Sequence, residues 1–399
     1  MGVKLYDFPG VTDHLLPFTY VRPAADIRIG ILTIREKWEK YFDQPMDYHI
    51  QHPHLAAKFG NSSPAAFDLL INGALCPDPA VHQAISNLQA GEALFLNGQT
   101  LACRVSQDGD LDTDQSFTEL AYDQEVCLLR KPWDIFLNNG EQIRRDFELI
   151  TTGRKSQQIN DPHTVIYEPS NVFVEEGATI RASVINAENG PVYLGKNSVV
   201  HEGCLIKGPF VLGESSHLNM GAKMKGDNTI GPFCKVGGEV SNSVFFGYSN
   251  KGHDGFLGNS VIGEWCNLGA DTNSSNLKNN YSSVRVWDYT TNSFNDSQLQ
   301  FCGLLMGDHA KSGINTMFNT GTVVGVAANV YGGSFPDKFL PSFSWGGSEG
   351  LSTYEFEKCM QMCKAVMRRR KVELTAADTA LLKAVFEKSA SHRTWEVKT

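Results

Sequence analysis

The chain has 399 residues, 41% of them hydrophobic and 20% charged, with a formal net charge of −9. That length suits two or three domains, and the negative balance argues against nucleic acid or an anionic membrane surface as a partner, which leaves small metabolites. Nine cysteines without a Cys-x-x-Cys pair indicate neither a disulfide framework nor a zinc knuckle. The opening MGVKLYDFPGVTDHLLPF has no signal-peptide pattern and no run of about 18 apolar residues follows, so a cytoplasmic protein is expected.

Residues 1–155 mix apolar strand-like runs, FDLLING (67–73) and EALFLNG (92–98), with a helical stretch, TIREKWEKYF (33–42). The mixture predicts an α/β domain, and it carries neither a Gly-x-Gly-x-x-Gly nor a Walker motif.

From roughly residue 165 the period changes. Leu194, Val200, Ile206, Leu212, Leu218, Met224, Ile230 and Val236 follow one another at intervals of six, with small residues such as Ser198, Cys204, Ser216 and Cys234 four positions after an aliphatic. The pattern resumes at Ile262 and Leu268, then at Met306, Ser312, Phe318, Val324 and Val330. Neither a helix nor a flat alternating strand produces a period of six, whereas hexapeptide repeats coil three short strands into a triangular parallel β-helix with the aliphatics inside. This domain is expected over 160–348. Two breaks stand out: 239–256, an excursion or a distorted coil containing His253, and 274–300, polar and aromatic, expected to project as a loop. Residues 351–399 turn helical, with Phe356, Met360, Cys363, Val366 and Met367 on one face and a second helix near 375–390. These helices are expected to cap the β-helix end, with RRRK (368–371) as a solvated helix terminus or an anion site.

SNKGHDGFLGNSVIGEWCNLGADTNSSN (249–276) is similar to the stretch carrying Ser-Lys-x-Gly-His, Leu-Gly-x-x-x-Ile-Gly and Asn-(Ile/Leu)-Gly-Ala-x-Thr in bifunctional UDP-N-acetylglucosamine diphosphorylase/glucosamine-1-phosphate N-acetyltransferases (GlmU type). LLPFTYVRPAADIRIGILTI (15–34) and KPWDIFLNNG (131–140) resemble the Leu-x-Pro-Leu-Thr-x-x-Arg-Pro-Lys and Pro-Trp-Asp segments of sugar nucleotidyltransferases, and the fit is nearest a divergent branch of the bifunctional family. The resemblance implies a nucleotidyltransferase-like α/β domain, a left-handed β-helix acyltransferase domain and a homotrimer. It also implies departures: no Gly-rich phosphate loop, Ala24 in place of the family lysine, Asn72 in place of a metal-binding aspartate, and Ser241 and Phe256 in place of a lysine and a tyrosine.

Carried onto this sequence, the family's chemistry makes His253 the general base and Glu239 its orienting acid, with Lys251 and Asn276 on the acceptor. Ala270, Gly313, Gly325 and Ala328 would lie along CoA. Arg22, Arg28, Lys37, Asn72 and Asp134 would attend the nucleotide and sugar phosphate, with Mg²⁺ if that site is active. Histidine suits deprotonation of an amine attacking a thioester near neutral pH. Acetyl-CoA, a sugar 1-phosphate and a nucleoside triphosphate are therefore the expected small-molecule partners. Rival readings are a sugar nucleotidyltransferase alone, a trimeric nucleotide-sugar-binding scaffold, and an inter-subunit zinc site drawing on His201, His217, His253 and His309.

Overall fold

A computed structural model describes residues 2–60, 68–105 and 117–396. Phe67, at the edge of the first predicted strand, and 397–399, at the end of the predicted tail, lie outside the described residues. The chain divides into two compact units, one made of Met1–Ile27 with Leu32–Arg130, the other of Arg28–Ile31 with Lys131–Thr399.

The first unit is built on a six-stranded sheet. Its strands are β1 (Val3–Tyr6), β2 (Asp47–His49), β3 (Leu69–Asn72), β4 (Glu92–Leu96), β5 (Gln99–Arg104) and β6 (Thr118–Ala121), in the order β2-β1-β3-β5-β4-β6. β1 runs parallel to β2 and β3, and β5 antiparallel to β3 and β4. Asn97 and Gly98 both take positive φ, which closes the two-residue hairpin between β4 and β5 with the twist such hairpins need. Helix α1 (Ile34–Phe42) begins with a capping box in which Thr33 and Glu36 satisfy each other's backbone N–H. It buries Trp38, whose indole donates to Leu75 O at 2.8 Å. Asp78 caps α2 (Pro79–Ser86), with proline in the first turn.

The second unit is a left-handed parallel β-helix of about ten coils with a helical cap. Leu194 pairs with Leu212 and Leu212 with Ile230, so each coil consumes three hexapeptides. All eight aliphatics from Leu194 to Val236 are buried in one core column, as are the corner residues Ser198, Cys204, Ser216 and Cys234. Asn197, Ser215 and Phe233, each just before such a corner, are left-handed, which turns the strand within one residue. Coils approach too closely for a side chain at Gly269, where a Cβ would stand 2.5 Å from the carbonyl carbon of Gly313. Replacing Gly269 by alanine must therefore push neighbouring coils apart, and a loss of about 1–3 kcal/mol in denaturant unfolding is expected.

The break at 239–256 is a shortened coil and not an excursion. Val236 pairs with Lys251, fifteen positions on, and Glu239–Gly247 is assigned as one nine-residue strand paired with Phe256–Glu264 of the next coil. The break at 274–300 projects as a hairpin, Arg285–Asp288 against Ser293–Asp296.

Helix α3 (Asp134–Thr151), counted with the N-terminal domain in the sequence, belongs instead to the β-helix unit. Its Asn139 donates to Asp227 O, and Asn139 and Asp146 accept from the backbone of Gly30 and Ile31, a segment of that same unit. Its apolar residues Ile135, Phe136 and Ile143 are buried, and the second compact unit resumes at Lys131. At the far end, α4 (Phe356–Arg369) and α5 (Ala376–Lys388) pack Phe356 and Phe386 on Phe343 of the last coils. Buried Arg393 closes the cap, bonded to Ser342 O, Ser389 and Phe386 O.

Candidate active site

His253 sits on a turn held at three carbonyls. Lys251 Nζ donates to the carbonyls of Gly237 and His253, each at 3.1 Å. Asn219 Nδ2 donates to Gly252 O at 2.6 Å, and the Asp271 amide to Asp254 O at 3.2 Å. The His253 side chain itself is exposed. A tightly held backbone carrying an unengaged imidazole is the arrangement a general base needs.

Lys251 is the second half of this device. The column Leu218, Val236, Lys251, Leu268 shows it in a core position where the repeat calls for an aliphatic. The residue is 1% exposed, and burial pushes its pKa down to about 8, against the opposing pull of Asp254 and Asp271. The acceptor-binding role expected of Lys251 is corrected: the side chain faces the prism and grips the turn. A Cβ on Gly238, which lies at positive φ, would stand 2.8 Å from Lys251 Nζ, so this position is restricted to glycine.

Two cavities share His253. One, of about 530 Å³, is bordered by His201, Asn219, Met220, Asp254, Ala270 and Asp271, with two carboxylates and no Lys or Arg. The other, of about 730 Å³, also touches Ala270 and Asn219 but is bordered by Lys235, Lys311, Arg369 and Arg370 with no acid. Arg370 reaches it from the end of α4 and is fixed by a 2.9 Å bond to Asn250. Tyr248 and Trp265 border this side, stacked on each other at 4.2 Å, with Phe233 behind Tyr248 at 4.9 Å and His309 beyond Trp265. Burial holds the Lys311 ammonium below its usual range.

The structure gathers His253 and Ala270 at this place, with Gly313 beside the cleft residue Ile314. It does not gather the rest. Glu239 pairs with Lys225 at 2.7 Å and borders neither cavity. Asn276 donates to Asn259 at another part of the coil. Ala328 lies in the apolar core, and a Cβ on Gly325 would meet Ser342 N at 2.3 Å, so neither offers a surface along which CoA could lie. Sequence reasoning does not single out Asn219, Asp254, Asp271 or Lys235 as site residues, and it offers Arg369 and Arg370 only as part of the RRRK run read as a helix terminus or an anion site. Asn219 follows the core aliphatic Leu218 directly, which is the one local signal available. The four histidines of the zinc reading do not converge: His201 and His217 lie 5.7 Å apart, His309 stacks on Trp265, and no cluster of three or more suitable ligands occurs among the described residues.

The nucleotide candidates divide between the units, Arg22, Lys37 and Asn72 in the first and Arg28 and Asp134 in the second. Arg22 is buried and donates to Phe18 O, and Lys37 is buried in α1. Arg28 donates to Phe246 O and Ile31 O, and Asp134 accepts from the Lys131 amide. Asn72 spends both ends of its amide on Thr100 O and the Ala74 amide. Asp7, just past β1, accepts from the Ala24 amide and Thr12, and burial pushes its carboxyl up to about 6. A carboxyl here, where the resemblance would place a phosphate loop, and an amide already spent at 72 do not make a Mg²⁺ site.

Residues 3–155 match the family model described as sugar nucleotidyl transferase. The bifunctional protein GlmU of Methanocaldococcus jannaschii is 33% identical over 87 residues, 22% of this chain and 21% of that protein. The chain thus matches about a fifth of the length of this curated relative. Among solved structures, the polySia-specific acetyltransferase NeuO is 13% identical with a TM-score of 0.26, covering 49% of this chain and 85% of that one. The Arabidopsis UDP-N-acetylglucosamine acyltransferase is 16% identical with a TM-score of 0.22, covering 60% and 85%. Among the described residues no helix is long and apolar enough to cross a membrane.

Proposed function

We propose that the chain is a transferase of nucleotide-sugar synthesis whose β-helix moves an acetyl group from acetyl-CoA to the amine of an amino-sugar 1-phosphate at His253. The observation that carries this reading is the opposed chemistry of the two cavities His253 separates, two carboxylates on one side and four cations on the other. Cations suit the phosphates of a CoA donor. Asp254 and Asp271 suit the amine and hydroxyls of the acceptor.

In the reaction, the amine nitrogen attacks the thioester carbonyl while His253 takes its proton. The oxyanion is held by the backbone N–H at Ala270, then the C–S bond breaks and the departing sulfur receives the proton as a thiol. No Lys or Arg of this chain borders the acceptor cavity, so the acceptor phosphate needs a cation from elsewhere. A neighbouring subunit of a homotrimer supplies one. Met220 and Ile314, 75% and 69% exposed beside the cavities, are the apolar surface such a neighbour would cover.

The match over residues 3–155 supports a sugar-nucleotide ligand for the first unit. Nucleotidyl transfer there would use Mg²⁺, which its residues do not fit, so the reading for that unit is binding without transfer.

The donor half is tested by titrating CoA into the protein. With Arg369→Glu or Arg370→Glu alone the affinity is expected to fall by about one to two orders of magnitude and the salt dependence to flatten, each charge reversal removing a contact of about 1.5–3 kcal/mol. Unchanged CoA affinity would remove the donor from this cleft.

A further inference from the structure

A third cavity in the β-helix unit, about 640 Å³, is walled by four separate stretches of chain and touches neither His253 nor the basic cleft. We propose that it is a binding site for an uncharged or cationic hexose ring, a glycan unit recognised apart from the acyl-transfer substrates. The proposal does not depend on the acyl-transfer reading.

Its aromatic wall is ordered. Trp287, from the projecting hairpin, stacks on Phe339 at 4.1 Å with an 8° tilt. His392, from the C-terminal turn, stands at 89° to both rings. Phe335 adds an aromatic side chain 53% exposed, whose burial under a ligand is favourable. The hairpin is tethered by a 2.8 Å ion pair between Asp288 and Lys131, so the tryptophan is presented on a fixed element.

The remaining border decides the ligand. Asn292, Asp337, Ser348, Ser391 and Thr394 put amide, carboxylate and hydroxyl groups around the aromatic faces. No lysine or arginine joins them, and burial with the nearby Arg393 pushes the His392 pKa down, which keeps the ring neutral. The one full charge is therefore negative, so phosphates are disfavoured. A pyranose ring offers C–H faces to stack on aromatic rings and hydroxyls to a polar rim, and the volume lies within the range of small-ligand pockets. A nucleobase would use the stacking but few of the rim groups, and a nucleotide would bring its phosphate against Asp337.

The test is calorimetric titration of the full-length protein with N-acetylglucosamine and its β-1,4-linked disaccharide, beside adenosine and glucosamine 1-phosphate. Saturable binding of the neutral sugars is expected. Trp287→Ala and Phe335→Ala should weaken it at least tenfold, while thiol release from acetyl-CoA stays at the wild-type rate. Phe335 is exposed, so its variant tests the site without touching the core, and Trp287→Phe should restore some of the affinity. Absence of saturation at concentrations on the order of 10 mM, tighter binding of adenosine or glucosamine 1-phosphate, or loss of sugar binding in Arg370→Glu with none in Phe335→Ala would each overturn the proposal.

Discussion

Replacing His253 by alanine is expected to lower turnover in acetyl transfer by about two to four orders of magnitude, the span a positioned general base contributes. The imidazole is exposed and makes no side-chain hydrogen bond among the described residues, so the same change should move unfolding by no more than about 0.5 kcal/mol. The proposed donor cleft is bordered by Lys235, Lys311, Arg369 and Arg370, none of which the substitution touches, so the KM for acetyl-CoA should hardly shift. A fall in turnover with unchanged stability and KM separates lost chemistry from lost structure. Turnover within threefold of wild type in His253→Ala would remove the base from the mechanism.

Lys251→Met should cost turnover as well, by about ten- to a hundredfold, through geometry. The methionine fills the core position but leaves the carbonyls of Gly237 and His253 without their donor, and a shift of about 1 Å at a reacting group is worth that much. The buried ammonium also leaves a pH signature in stability. The folded-state pKa of Lys251 is about 8, below the ordinary value of 10.5, so between those two pH values the unfolded chain binds more protons than the folded one. The stability of the wild type should therefore rise relative to Lys251→Met from pH 8 to 10.5 and stay level with it in slope below 8. Urea midpoints of both proteins at pH 7.5, 9 and 10.5 measure this. Parallel curves across the window would show that the ammonium is not buried as described.

The period-six column is legible because burial inside a triangular prism leaves few alternatives, and each aliphatic from Leu194 to Val236 lies where the spacing puts it. The shortened coil is not legible. Val236 pairs fifteen positions on, which puts Lys251 in the core, and the Glu239 side chain pairs with Lys225. Spacing carried over from full coils misplaces residues wherever a coil is shortened. Gly325 and Ala328 fail for a related reason: small residues in this repeat mark tight packing as often as ligand approach. For Arg369 and Arg370 the sequence leaves a helix terminus and an anion site both open, because their relation to Lys235 and Asn250 exists only once the chain folds back along the coils. His253 itself is found through its flanking motif, and what fixes it, Asn219 and Lys251, comes from two different coils.

The most direct measurement is thiol release from acetyl-CoA on adding glucosamine 1-phosphate, with the sugar product identified by mass. Thiol released one for one with N-acetylated sugar phosphate, and abolished together with it in His253→Ala, is the predicted result. Thiol release that is absent with this and other amino-sugar phosphates, or that proceeds without an acetylated sugar, would contradict acetyl transfer at His253.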